Sequence, residues 1–157
     1  MKVALVGTSI ALTEQEEKDM RQFISIVLKR YDINSTIIIS GGAKGVDTLA
    51  IEIAESMGFK TEVDRYKPDT NHWEDQNGKK GYKSRNLLIA KECDELHSFS
   101  VPYHKLKCYH HEELEEHERT AACWTLLKVK QMDKPCQLIV MPPDESINYK
   151  ELRKYED

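Results

Sequence analysis

The 157-residue sequence lacks a basic excess: 23 Lys and Arg face 27 Asp and Glu, for a formal charge of −4. A protein whose main task is to hold a nucleic-acid backbone usually carries surplus positive charge, so the balance argues against a nucleic-acid partner. Long apolar runs are also missing, and no segment is suited to crossing a membrane. The opening stretch Met1–Gly7 is too briefly apolar for a signal peptide, so the expected location is the cytoplasm. In that compartment the four cysteines, Cys93, Cys108, Cys123 and Cys136, are expected as thiols or metal ligands rather than disulfides. Low-complexity stretches and internal repeats are absent. With 39% hydrophobic and 32% charged residues, the composition is that of a polar globular protein and excludes wholesale disorder. The length suits one domain, residues 1–157, with a substantial core.

What is present is an alternation of short apolar runs and helical periodicity. Residues 2–6 end at Gly7 and read as a buried parallel strand. Thr13 with Glu16 has capping-box spacing, and Met20, Phe23, Ile24, Val27 and Leu28 follow on one helical face. Ile37–Ile39 forms a second strand that stops at Ser40-Gly41-Gly42. The next helix carries Val46, Leu49, Ala50, Ile53, Ala54 and Met57, and Gly58 closes it. A third strand is predicted over 60–64, a loop over 67–81, a helix over 82–92 and a fourth strand over 95–99. Residues 101–119 break the pattern and read as a His/Cys/Glu-rich insertion. A helix beginning near Trp124, a last strand over 136–141 and a charged tail over 144–157 complete the chain. The expected fold class is α/β: a Rossmann-like, doubly wound, mostly parallel five-stranded sheet with helices on both faces. In such sheets ligands sit beyond the carboxyl ends of the strands, where strand order reverses.

Chemistry concentrates at Ser40-Gly41-Gly42-Ala43-Lys44-Gly45-Val46-Asp47, between the isoleucine strand and its helix. Glycines there allow a tight turn and let a ligand approach the main chain, while the N–H groups of the first helical turn favour an anion. Asp47 either caps the helix or binds a ribose hydroxyl. A tight βα turn with no ligand is the plainer account of Gly41-Gly42. Two companions favour a phosphate: Gly7-Thr8-Ser9 at the end of the first strand, and Arg85-Asn86 near the start of the third helix.

The string Ile39-Ser40-Gly41-Gly42-Ala43-Lys44-Gly45-Val46-Asp47-Thr48-Leu49-Ala50, following Val6-Gly7-Thr8-Ser9, resembles the SLOG superfamily. That group holds Rossmann-like proteins related to the DNA-processing protein DprA and to the lonely-guy phosphoribohydrolases. Ser84-Arg85-Asn86 with Ala90-Lys91-Glu92-Cys93-Asp94 is similar to its "RN…A…D" segment, and His117 through Thr125 to its "H…GGTxxT" loop. The resemblance covers roughly residues 1–141. It implies a nucleotide or nucleotide-derived ligand between two glycine loops, and relatives that often dimerise through helices beside the sheet.

The chain departs from that pattern twice. At the second loop, Thr120-Ala121-Ala122-Cys123-Trp124-Thr125, alanine replaces both expected glycines. Each methyl crowds a close phosphate and disfavours positive φ, although Thr120 and Thr125 still offer hydroxyls. The phosphoribohydrolases carry a glutamate just after this loop, where this chain has Trp124, Thr125, Leu126, Leu127 and Lys128. Binding without turnover, as a sensor or regulatory protein, therefore leads. A nucleotide hydrolase, with Arg85 as its cation, is the alternative. A single-stranded nucleic-acid module is the third reading, using Lys79, Lys80, Lys83, Arg85 and Lys91 with Trp73 and Tyr82 as stacking surfaces.

Cys108, His111, His117 and Cys123 have spacing compatible with a structural zinc site, which would staple an insertion too short for its own core. A solvated helix of histidines and glutamates accounts for His110, His111 and His117 equally simply. No cofactor is required by the binding reading. His72 and Trp73 are placed in the loop over 67–81, either over a base or against a sheet edge, and Trp124 is expected in the core. Cys93 and Cys136 are expected as buried apolar thiols.

Overall fold

The computed structural model describes residues 1–9, 12–101 and 121–142. The five strands are β1 (Lys2–Gly7), β2 (Ile37–Ile39), β3 (Lys60–Glu62), β4 (Glu95–Ser100) and β5 (Cys136–Val140). They form one sheet of order β3-β2-β1-β4-β5, and every pairing is parallel. The helices are α1 (Glu14–Leu28), α2 (Val46–Ser56), α3 (Tyr82–Glu92) and α4 (Ala121–Gln131), with a 3-10 turn over Asp64–Tyr66. This is the Rossmann-like α/β fold expected from the alternation. Among the described residues no helix is long and apolar enough to cross a membrane.

β1 sits at the centre because it is apolar on both faces, with Val3, Ala4 and Leu5 fully buried. Its odd-numbered side chains Val3 and Leu5 join Met20, Ile24 and Leu28 of α1 and Leu49, Ala50 and Ile53 of α2. Its even-numbered ones, Ala4 and Val6, join Ile89 and Ala90 of α3, Cys93 just beyond that helix, and Leu126 and Val129 of α4. The period of two along the strand thus divides the core into two layers, one per face. Each large apolar side chain buried in them stabilises the fold by about 1.5–3 kcal/mol. α1 starts where the sequence places its cap: Glu16 N donates to Thr13 Oγ1 over 3.1 Å, and Thr13 N donates to Glu16 Oε1 over 3.0 Å.

Two boundaries and the burial of one cysteine differ from the sequence expectation. β3 stops at Glu62, because the chain winds into the 3-10 turn that buries Tyr66 and lets its hydroxyl donate to Glu92 Oε1 over 2.7 Å. α4 begins at Ala121, ahead of the apolar run at Trp124, as suits alanine's high helix propensity. Cys136 is half-buried rather than buried, because β5 is an edge strand; Cys93 is buried as expected. Burial pushes the Cys93 thiol up to about 11, so it stays protonated at neutral pH. Of the insertion predicted over 101–119 only Val101 is described, and it is buried in the core; the rest and the tail from 144 lie outside the described residues.

Candidate functional site

Strand order reverses between β1 and β4, and a cleft of about 670 Å³ opens at the carboxyl ends of the strands. Ser9 enters it from the turn after β1, and Gly41, Gly42, Ala43 and Lys44 from the loop after β2. Lys67, Pro68, Asn71 and Trp73 come from the loop after β3, Tyr82 and Arg85 from α3, and Ala121 from the start of α4.

The loop after β2 is held from behind. Val46 N donates to the Thr8 carbonyl over 3.0 Å, joining the first turn of α2 to the end of β1. Gly45 has φ +89°, and a Cβ there would lie 2.5 Å from the Thr8 carbonyl oxygen. Glycine is required here by both backbone conformation and close approach. Asp47 faces inward from the same turn and is buried, and its Oδ2 accepts from Ala43 N over 3.4 Å. This long bond ties the loop ahead of α2 to its first turn; it does not cap the helix, whose N-cap Gly45 has no side-chain cap. Removal from water pushes the Asp47 carboxyl up to about 6, against the opposing effects of the Arg85 charge, the backbone at Ala43 and Gly7, and the Ser40 hydroxyl. The Ser40 hydroxyl is close enough to favour the charged form, yet its oxygen makes no well-formed hydrogen bond among the described residues.

Arg85 supplies the positive charge. Its Nη1 donates to the Gly41 carbonyl over 2.8 Å, and a Cβ on Gly41 would lie 2.2 Å from the same nitrogen. Gly41 is therefore needed for the guanidinium to lie against the loop. The Arg85 side chain also stacks over Tyr82, with Cζ 5.3 Å from the ring centroid. It is buried, and its Nε has no hydrogen-bond partner among the described residues. Burial lowers its affinity for the proton, while Asp47 and Tyr82 act in the other direction.

The third wall is built by the loop after β3 folding back on α3. Tyr82 N donates to the His72 carbonyl and Lys83 N to the Trp73 carbonyl, each over 2.9 Å. Asp75 Oδ1 accepts from Gly81 N and Ser84 Oγ over 2.9 and 2.7 Å, and these bonds hold its pKa below the ordinary carboxylate value. The N-terminus of α3 is thus capped by protein groups, and the cap holds Trp73 in the cleft. Trp73 meets the buried Trp124 of α4 edge to face, with centroids 5.3 Å apart. Its indole N–H has no partner among the described residues.

Of the residues singled out from sequence, Ser9, Gly41, Gly42, Ala43, Arg85 and Ala121 line this cleft together, and so do the aromatic Trp73 and Tyr82. Gly7, Thr8, Gly45, Val46 and Asp47 stand behind it, packing the loops. Asn86 is buried in α3 with its amide nitrogen unpartnered among the described residues. The stretch expected as a second glycine loop is, from Ala121 onward, the first turn of α4. There Ala122 packs on the apolar layer, and Thr125 Oγ1 donates to the Ala121 carbonyl over 2.8 Å. Thr120, Cys108, His111 and His117 lie outside the described residues, and Cys123 is buried in α4. Among the described residues no three His, Cys, Asp or Glu side chains are grouped as a metal ion would need. Lys44 lies within the glycine-loop string named from the sequence, whereas Lys67, Pro68 and Asn71 were not expected at the site. Their one signal is topological: a loop after a parallel strand opens at the same end of the sheet as the glycine loops.

The basic strip expected over 79–91 is not continuous. Arg85 is buried in the cleft, and Lys83 pairs with Glu74 over 3.3 Å, while Lys79, Lys80 and Lys91 are exposed.

No family model and no curated protein matches the chain. Solved structures do. DNA processing protein A (DprA) from Streptococcus pneumoniae matches with a TM-score of 0.57 and 19% identity over 98% of this chain. This chain spans 56% of that one. A structural-genomics target named TM1055 matches with a TM-score of 0.55 and 14% identity, covering 86% of this chain and 71% of its own. The chain shares its Rossmann-like fold with DprA, in agreement with what the sequence resemblance implied.

Proposed function

We propose that the cleft binds a nucleotide or nucleotide-derived ligand and that the protein acts by binding it, as a sensor or regulator. The observation that carries this reading is the Arg85 guanidinium: buried, facing the cleft, and with its Nε hydrogen unspent. An unused charge-assisted donor in a buried position is costly, and a phosphoryl oxygen is the group that matches its forked geometry. Lys44 adds positive charge around it, Lys67 lines the cleft while paired with Asp64 over 2.8 Å, and Trp73 and Tyr82 offer aromatic surface for a base. A volume of about 670 Å³ suits a small molecule.

Binding is favoured over hydrolysis by the cleft's chemistry. No carboxylate is among the described residues that line it. Where the phosphoribohydrolases carry glutamate, Trp124 through Leu127 are buried and Lys128 lies 5.1 Å from the Trp124 ring centroid. A single-stranded nucleic acid is the second reading. It draws on the exposed Lys79 and Lys80 beside the capping loop and on the fold shared with DprA, a DNA processing protein.

A thermal-shift panel of mononucleotides, dinucleotides and oligo(dT) separates these readings. A ligand at a hundred times its dissociation constant stabilises the fold by about 2.7 kcal/mol. A mononucleotide hit that disappears in Arg85→Ala and yields no product by chromatography is the expected result. A shift given only by oligo(dT), with affinity falling steeply as salt rises, would replace the proposal with the nucleic-acid reading. Product formation would replace it with the hydrolase reading.

A further inference from the structure

The Asp47 carboxylate lies behind the loop that the ligand would meet. Its Oδ2 takes the Ala43 N–H over 3.4 Å, and the positive group facing it is Arg85. Ala43 and Arg85 both line the cleft. In the ligand-free protein Asp47 is therefore hydrogen-bonded to one of the two groups best placed to receive an oxyanion, and it acts on the other, Arg85, through space without an ion pair between them.

We propose that this site is proton-coupled: a divalent oxyanion arriving at Ala43 and Arg85 takes over as their negative partner, and Asp47 takes up one proton from solvent as it binds. The inference rests on reading the cleft as an anion site and adds how that site is regulated.

The argument is one of charge in a dry place. Asp47 is buried, and the groups that favour its charged form are few. They are Arg85 from α3, the Ser40 hydroxyl at the end of β2, the backbone of Gly7 in β1 and the backbone of Ala43 in the loop. A dianion beside Arg85 draws on the same guanidinium and repels the carboxylate. Two acidic groups that share one cation do not both stay charged, and the more buried one takes the proton. Asp47 is already close to that point, since burial pushes its carboxyl up to about 6 before any anion arrives. Arg85 has a free donor for the exchange: its Nε is unpartnered among the described residues, while Nη1 holds the Gly41 carbonyl. The ligand that fits is one whose phosphoryl group is fully ionised. Its affinity would rise as the surroundings become more acidic, for as long as the ligand keeps both charges.

Inorganic sulfate is the probe, because it stays a dianion from pH 6 to 8 and adds no titration of its own. Its affinity for the full chain is measured by tryptophan fluorescence, with Trp73 in the cleft, at ionic strength held by a monovalent salt. For the wild-type protein the dissociation constant should rise with pH, approaching about tenfold per pH unit above pH 7, the slope for uptake of one proton. In Asp47→Asn it should be flat over the same range and lower than wild type at pH 8. Calorimetry of the wild-type protein in two buffers of different ionisation enthalpy counts the protons directly, so the test holds even if the variant folds poorly. Sulfate binding with no proton uptake, or with the same pH slope in both proteins, overturns the coupling and leaves the anion site standing. No sulfate binding by either protein at any pH overturns both.

Discussion

The Arg85 Nη1 nitrogen donates to the carbonyl oxygen of Gly41 over 2.8 Å, joining α3 to the loop after β2 across 44 positions of sequence. The same contact explains the residue type at 41, since any Cβ would intrude on the guanidinium.

Gly41→Ala separates ligand binding from folding. The added Cβ would lie 2.2 Å from Arg85 Nη1 and 2.7 Å from its Cζ, so the guanidinium must leave the loop. The displaced group is the end of a flexible side chain, so the stability cost should stay near that of one hydrogen bond, about 1 kcal/mol. Affinity for sulfate or for a nucleotide hit should fall at least about tenfold, the equivalent of one misplaced charge-assisted bond. Urea unfolding and fluorescence titration on the same sample check both halves. An unfolded variant would show that the contact holds the fold rather than the ligand.

Gly45→Ala should behave differently. Here φ is +89° and the Cβ would meet the Thr8 carbonyl at 2.5 Å, an atom of the backbone that cannot swing aside. The expected loss is about 3 kcal/mol, near the upper end for a strained backbone position. Gly78→Ala is the control, because φ is +79° there but the space around it is open. That substitution should cost only the conformational strain, about 1 kcal/mol. Equal losses at the two positions would mean that the approach of Thr8 contributes nothing.

How much of this was legible in the sequence depends on how local each feature is. The capping box at Thr13 and Glu16 spans one turn, and α3 over 82–92 was fixed by flanking turn residues, so both were found. The inward faces of β1 and α2 follow from periodicity alone. Arg85 could be placed near the glycine loop through its motif. That it lies on Gly41, and that Asp47 faces it from behind the loop, depends on how β1, β2 and α3 stack, which no window of sequence contains. Lys67, Pro68 and Asn71 sit in an aperiodic loop and carry no pattern of their own. Ala121-Ala122 read as a damaged glycine loop when set beside a family motif, yet alanine is the strongest helix former and the chain begins α4 there. Cys136 was read as buried because strand order, which puts β5 at the edge, is a non-local property.

Tyr31→Phe tests a second buried junction, at the opposite end of the sheet from the cleft. The Tyr31 hydroxyl lies 2.5 Å from Glu95 Oε2 and 2.6 Å from His97 Nε2, joining the end of α1 to β4. A phenol has one proton to give. Donating it to Glu95 requires His97 Nε2–H to donate to the phenol oxygen, and the neutral ring's Nδ1 then accepts from the side-chain amide of Gln137, whose end group lies 3.1 Å away. Removing the hydroxyl strands two partly buried polar groups, and the expected loss is about 1–3 kcal/mol by urea unfolding. A loss below about 0.5 kcal/mol would mean that water replaces the phenol without cost.

Asp47 and His97, both buried, should give stability profiles of opposite sign. Asp47 has its folded pKa raised from 3.8 to about 6. The folded state therefore binds the proton more tightly than the unfolded chain. The stability this contributes is complete below pH 3.8 and is lost as pH rises through about 6. The whole interval corresponds to a free energy on the order of 3 kcal/mol. Asp47→Asn mimics the protonated form, so its stability relative to wild type should grow between pH 4 and pH 7.5 and then level off. His97 is shifted the other way, chiefly by burial, so that its folded pKa lies below the ordinary 6.5. Its contribution is complete above 6.5 and is lost as pH falls below that value, because the unfolded chain then takes the proton first. His97→Gln should therefore lose less stability than wild type on the acid side of 6.5. Urea unfolding of the three proteins at half-unit steps from pH 4 to 8 measures both slopes. A difference between Asp47→Asn and wild type that stays constant with pH would show that Asp47 titrates at an ordinary carboxylate value, and that water reaches it behind the loop.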